Sequence, residues 1–420
     1  MKPLPIHARR AASFTATYWA IRIILILNSG IAISTFGLWI IAAAQGLLWR
    51  ADFSAYYTGW AMVRDGLGAQ LYDFDLQSSY QQQILGGRSF ADGLLSFINP
   101  PHTALIFLPL SWLSLSTAYA VWAAFQVSLL IWLLYRFWHF GKHWSLQERQ
   151  MMTVTILAFN PLLQTLLKGN FSLILLVCLT EFCLALRSNK QIKAGLWLVI
   201  GSLKPQTLVL PGISLLGARQ WKTVATSVGG MSIIIIIIDL LWGWHVWIDF
   251  VMTLVEIGQI SEQQYGIAAA AMYNFKSLLT ILLGNQAGDS IAIMSVVALI
   301  ASMGFTLWQW SRATTVLQAP FNLHFALTIL LSLFTSLHLF PHDTLSAILP
   351  AVLFYDHIRQ QPNQRWRLGG FLLICPLLFL ISYFTIPGKW GNLPPILTLL
   401  ALTIWIAHTI WKAGYAQKTP

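Results

Sequence analysis

Residues 223–241 read TVATSVGGMSIIIIIIDLL, an apolar and small-residue run with Lys222 just before it and one acid, Asp239, near its end. An α-helix needs about 20 mostly apolar residues to cross the hydrocarbon of a bilayer. Six consecutive isoleucines leave no polar face that could meet water, so the segment predicts a membrane span.

The rest of the chain agrees. Of its 420 residues, 57% are hydrophobic and only 9% are charged, with a mean hydropathy of +0.66. Soluble domains run at about 45–50% apolar and about 25% charged. This excess excludes a soluble enzyme, a disordered chain, a collagen and a disulfide scaffold. The net charge of +11 would suggest nucleic acid in a soluble protein; here it reads as Lys and Arg gathered on cytoplasmic loops, and no nucleic-acid partner is expected. The 20 Trp, 24 Phe and 12 Tyr suit lipid contact and interfacial belts. Cys178, Cys183 and Cys375 lie in apolar runs, as small hydrophobes without metal spacing. Lys2, Arg9 and Arg10 before the apolar run from Ile23 read as the start of a retained first helix.

Outward from 223–241, further spans are expected at about 19–46, 117–138, 151–167, 171–187, 289–311, 321–340, 344–358, 369–386 and 395–411. The apolar stretch 101–115 is short and carries Pro109, which predicts a half-inserted or surface helix. Segment 194–217 has Lys193 before it and Arg219 and Lys222 after it, so a single crossing would put one basic cluster outside. A broken hairpin turning at Lys204-Pro205 keeps both on one side; such backbone is tolerated at depth only against protein or a cavity. The expectation is one all-α polytopic membrane domain over residues 1–420. It has about twelve membrane segments, both termini cytoplasmic, and short extracytoplasmic loop helices. Polar segments 47–100 and 243–288 form its outer, catalytic face.

Three constellations could carry chemistry. Asp52, in Arg50-Ala51-Asp52-Phe53-Ser54-Ala55-Tyr56-Tyr57, follows the first span at the membrane–water boundary. There a carboxylate can act as general base towards a hydroxyl; the plain alternative is an interfacial acid paired with Arg50. His338 and His342 stand four apart, but Pro341 interrupts the helix they would need to share, and no further spaced ligand joins them. A metal is therefore disfavoured, and His342 could instead contact a phosphate or simply cap a helix. Lys168 and Lys204 lie at turns between apolar segments, where a cation is expensive and seeks a partner such as a phosphate. Snorkelling to the headgroups is the alternative and fits Lys168 better. Glu181 suggests helix–helix hydrogen bonding and Asp239 an outer helix end. Walker, dinucleotide-glycine and GxSxG motifs are absent from the sequence.

The order of these pieces resembles the GT-C membrane glycosyltransferases, and within them glycosyltransferase family 87. The residues that carry the resemblance are Asp52-Phe53-Ser54-Ala55-Tyr56-Tyr57 with Gly66 and Leu71-Tyr72-Asp73; Asn99-Pro100-Pro101 leading to Leu108-Pro109-Leu110; Gly169-Asn170; Leu203-Lys204-Pro205 before Arg219-Gln220-Trp221; and His342-Asp343 before Leu349-Pro350. The resemblance implies inverting transfer of a hexose, typically mannose, from a polyprenyl-phosphate sugar to a glycolipid or glycan. The reaction would take place at the outer face of the cytoplasmic membrane, with no cofactor and no metal. It assigns Asp52 as catalytic base and His342 to the donor phosphate, joined by Lys204 and Lys168. Tyr56, Tyr57, Asn170 and Asp343, from the same motifs, are the expected substrate contacts. The rival reading is a transporter or flippase of lipid-linked saccharides, which would more often carry inverted repeats.

Overall fold

The computed structural model describes residues 6–46, 52–87, 94–260, 272–312, 320–359, 361–384 and 390–416. Among these residues every regular element is helical. In chain order the helices are α1 (Ile6–Ala44), α2 (Asp52–Arg64), α3 (Phe74–Ile84), α4 (Pro101–Ile106), α5 (Leu115–Phe140), α6 (Leu146–Ala158), α7 (Asn160–Lys168), α8 (Ser172–Arg187) and α9 (Gln191–Gly201). They continue as α10 (Val209–Gly217), α11 (Trp221–Trp242), α12 (His245–Ile260), α13 (Phe275–Leu283), α14 (Gly288–Ser311), α15 (Phe321–Thr335), α16 (Ile348–Ile358), α17 (Pro362–Phe384) and α18 (Leu393–Ala416). This is an all-α polytopic membrane protein.

Every apolar segment expected from the sequence is a helix here, with the bent pair α6–α7 in one of those places. Yet among the described residues five helices are by themselves long and apolar enough to cross a bilayer, or six if the α6–α7 pair is one span. Several of the others, α8, α15 and α16 among them, are short and buried in the bundle, where neighbouring helices replace lipid. The α6–α7 bend of 47° has a local cause. Phe159 takes an extended conformation, and the chain restarts with Pro161 in the first turn of α7, where its missing N–H costs nothing.

The isoleucine run of α11 is what faces outward. Ile233, Ile236 and Leu240 are exposed, as are Ile293, Val297 and Ile300 of α14. In lipid that exposure is the stable arrangement.

The hairpin expected at Lys204-Pro205 is present, with splayed arms. A Cβ on Gly195 of α9 would meet Thr223 and Thr226 of α11, and one on Gly230 of α11 would meet Val199 of α9. The two helices therefore run in the same direction. The chain breaks at residues 202–208 about halfway along α11, returns through α10, and starts α11 at the level where α9 began. Lys190, Lys193, Arg219 and Lys222 thus share one end of the bundle. The ends of α5, α8 and α16 lie there too, since Arg187 covers the Phe140 ring and Arg359 reaches the His143 carbonyl. Asp52, Asp73, Asp239, Asp289 and Asp343 occupy the other end.

Segment 243–288 holds short helices of the expected kind, α12 and α13 among its described residues, and Ile248, Val251 and Met252 of α12 are exposed. At about 1.5 Å per residue, α12 is too short to cross about 30 Å of hydrocarbon. Its apolar surface suits a helix lying at the interface.

Two apolar cores result. One is aromatic and joins α2, α4 and the first half of α5, through Phe53, Trp60, Trp122 and Phe171. The other is aliphatic and joins α8, α15, α16 and α18. Phe171 belongs to the first and Leu173 to the second, so Ser172 stands on the seam.

Candidate functional site

The seam is where the acids and cations of the sequence meet. Asp52 opens α2, where the helix N-terminus favours a negative charge. The turn Lys168–Phe171 is pressed against it. Gly169 has φ +67, and a Cβ there would fall 2.9 Å from that of Phe53, so only glycine fits this close approach.

Three side chains on one face of α5 hold that turn. The Tyr119 hydroxyl donates to Leu166 O (2.9 Å), Trp122 Nε1 to Gly169 O (2.8 Å) and Gln126 Nε2 to Asn170 O (2.9 Å). Asn170 Oδ1 accepts from the Ser172 amide at 3.0 Å, which fixes the start of α8. The Ser172 hydroxyl then donates to Asp343 Oδ1 at 2.7 Å.

Asp343 lies in the 3-10 turn Pro341–Ala347, buried with His342 and Thr344. Lys204, from the hairpin turn, forms an ion pair with its Oδ1, and the Phe340 amide donates to Oδ2 at 3.3 Å. Burial alone would raise the Asp343 carboxyl, but Lys204, His342 and the Ser172 hydroxyl together hold it down at about 2. A buried anion is thus neutralised by a buried cation. His342 Nε2 is 3.5 Å from Asp343 Oδ1, while Nδ1 faces Asp52 Oδ2 at 4.0 Å. Burial pushes the His342 imidazole down to about 4, so it is neutral near pH 7.

Asp52 differs from Asp343 in both respects that matter. Its side chain is 28% exposed. Among the described residues no group donates a hydrogen bond to it, and Arg50, the expected partner, lies outside them. Tyr56 stacks on Phe171 with ring centroids 4.3 Å apart. Burial, then the charges of Asp52 and Asp343, raise its phenol well above the ordinary range, so it remains a hydroxyl donor.

The structure therefore joins Asp52, Tyr56, Asn170, Lys204, His342 and Asp343. Lys168 is close enough for its charge to act on His342, and no acid pairs with it among the described residues. Tyr57 is separate, because its hydroxyl donates to Leu113 O at 2.6 Å, towards Arg64. Lys204 is committed to Asp343, so of the two lysines Lys168 is the one whose charge is not already matched. The expected helix–helix role of Glu181 takes the form of ion pairs to Arg136 and Lys193. Among the described residues no three metal-ligating side chains cluster. A separate apolar cavity of about 110 Å³ opens between α6, α16, α17 and α18 and does not include Asp52 or His342.

Sequence reading missed Ser172 and the triplet Tyr119, Trp122 and Gln126. The triplet carried a signal, an i, i+3, i+7 spacing of hydrogen-bonding side chains in an otherwise apolar helix.

Fold and site together define a membrane-integral protein with a partly exposed carboxylate beside a buried, charge-balanced cluster. The family model of glycosyltransferase family 87 matches residues 97–341, more than half of the chain, and the chain belongs to that family. It is a glycosyltransferase, acting on a sugar donor and an acceptor. The matched segment includes Lys168, Asn170 and Lys204 and stops one residue before His342. No curated protein and no solved structure matches the chain.

Proposed function

We propose that the protein transfers a hexose, most simply mannose, with inversion from a polyprenyl-phosphate sugar to a glycolipid or glycan. In this reading it sits in the inner membrane, with both termini and the basic end cytoplasmic and the acidic end, including Asp52, extracytoplasmic. The observation that carries the proposal is the state of Asp52: partly exposed, accepting no hydrogen bond among the described residues, and beside a buried His342 whose neighbouring acid is already neutralised by Lys204.

Asp52 takes the proton of the acceptor hydroxyl as that oxygen attacks the anomeric carbon. The bond from this carbon to the phosphate oxygen breaks, and its electron pair leaves with the polyprenyl phosphate. Lys168 balances the charge on the departing phosphate, as preorganised charges do in acyl and phosphoryl transfer. Lys204 acts through Asp343, and Tyr56 offers its hydroxyl to a sugar oxygen. An apolar cleft between α5, α8 and α9, lined by Ile174, Cys178 and Ile200, begins two residues from Ser172 and suits a prenyl tail. No step in this scheme calls for a metal or cofactor, and retained transfer in a chelator checks that.

The test is incubation of the purified chain with labelled polyprenyl-phosphate-mannose and candidate acceptors. Labelled product that disappears in Asp52→Asn is expected. Movement of the lipid across vesicles without any transfer, equal in both proteins, would favour a flippase.

A further inference from the structure

His342 lies between two acids and is offered a different chemistry by each. Its Nε2 faces Asp343 at 3.5 Å and its Nδ1 faces Asp52 at 4.0 Å. Its side chain is only 5% exposed, and Nδ1 is buried without a hydrogen-bond partner among the described residues. The ring is held in place by stacking on Phe340, with centroids 5.7 Å apart.

A neutral imidazole has one N–H and one bare nitrogen, and the partner of one nitrogen fixes the character of the other. Asp343 is the nearer acid and is itself buried, where a charge is screened least. Asp52 is farther away and gives part of its field to solvent. Lys204 and Lys168 are the remaining charges acting on the ring, and both oppose a second proton on it.

We propose that Asp343, fixed by Lys204 and Ser172, is a positioning residue that keeps the His342 proton on Nε2. Nδ1 is thereby left as a bare acceptor for the proton that Asp52 takes from the acceptor hydroxyl. The inference rests on the glycosyltransfer reading above. As the new glycosidic bond forms, the hydroxyl proton moves to Asp52 Oδ2. The protonated carboxyl donates to His342 Nδ1, closing the 4.0 Å gap, and later releases the proton to water along its exposed edge. His342 gains no net proton. It stabilises the acid form of Asp52 and does not contact the donor phosphate, because a bare nitrogen and a phosphate oxygen are both acceptors.

Nitrogen-15 magnetic resonance of histidine-labelled full chain in liposomes reads the tautomer directly, with His342→Gln assigning the signals. Near neutral pH the wild type is expected to show Nδ1 unprotonated and Nε2 protonated. A protonated Nδ1 in the wild type would overturn the proposal, whether or not the chain transfers sugar. This readout needs no variant of Asp343, so a misfolded Asp343→Asn cannot leave the matter open. Kinetics test the catalytic half. His342→Gln is expected to lower kcat by about 10- to 100-fold while leaving the donor KM within about twofold. Asp343→Asn should show the same split, partly rescued in Asp343→Glu. A raised donor KM at unchanged kcat in His342→Gln would put the ring on the phosphate and overturn the proposal. If the wild type transferred no hexose at all, the functional reading would fail, and the tautomer would still be decided by the resonance spectrum.

Discussion

Asp52 and Glu148 are both carboxylates near an end of the bundle, and their surroundings are opposite. Glu148 Oε2 accepts from the Ser145 amide and hydroxyl, each at 2.8 Å, and from Arg359 at 3.3 Å, while Tyr355 donates to Oε1 at 2.9 Å. It completes a capping box and ties α6 to α16. Asp52 accepts no hydrogen bond from any described residue and faces a bare histidine nitrogen. A carboxylate whose lone pairs are all engaged is a poor proton acceptor, since taking a proton means giving up those bonds. Asp52 has no such bond to give up among the described residues. Glu148 is engaged in holding helices together, whereas Asp52 accepts no hydrogen bond among the described residues.

The largest effect should come from removing that carboxylate. Asp52→Asn is expected to lower turnover by about 10²–10⁴-fold with donor binding retained, whereas Glu148→Gln leaves turnover near wild type. Equal losses of transfer in both variants would break the contrast.

Next comes the buried pair. Lys204→Met leaves Asp343 as an uncompensated buried anion and should cost about 3–5 kcal/mol of stability, read as a fall in Tm in detergent. The double variant Lys204→Met/Asp343→Leu should recover most of that Tm without recovering transfer. A double variant no more stable than the single would show that the pair is not coupled as the structure places it.

Lys168→Ala should raise the donor KM by about tenfold or more through loss of one charged phosphate contact, with little change in Tm. The reverse pattern would return Lys168 to a snorkelling role. Glu148→Gln should cost about 1–2 kcal/mol, visible only as a lower Tm.

The smallest effect concerns pH. Burial holds His342 and His102 at about 4, below the usual 6.5. The unfolded chain therefore binds protons that the folded one refuses, and stability falls as pH drops from about 6.5 towards 4. Asp343 has its folded value depressed to about 2 from 3.8, so its contribution persists through that window and is lost only below it. Thermal melts of His342→Gln should show a shallower decline between pH 6.5 and 4 than the wild type; an identical slope would show that His342 is not buried as described.

Much of this was legible without coordinates. The apolar runs, the Lys/Arg flanks and the Pro breaks predicted the helices in order, including the hairpin at Lys204-Pro205, because hydrocarbon and water sort residues by local composition alone. Asp52, His342, Asp343, Lys204, Lys168, Asn170 and Tyr56 were all candidates from sequence. What no local pattern could reveal is who meets whom. Lys204 and Asp343 are separated by 139 positions, and Ser172 and Asp343 by 171. Lys204 looked like a free cation because its neutralising acid comes from another part of the chain, and Tyr57 looked like a site residue until α2 turned its hydroxyl towards Leu113. Sequence by itself determined the solvent this chain lives in and the residues able to do chemistry there. Only the tertiary structure decided which charge is cancelled and which is left over, since that depends on distances of a few ångströms between helices whose crossing is set by packing.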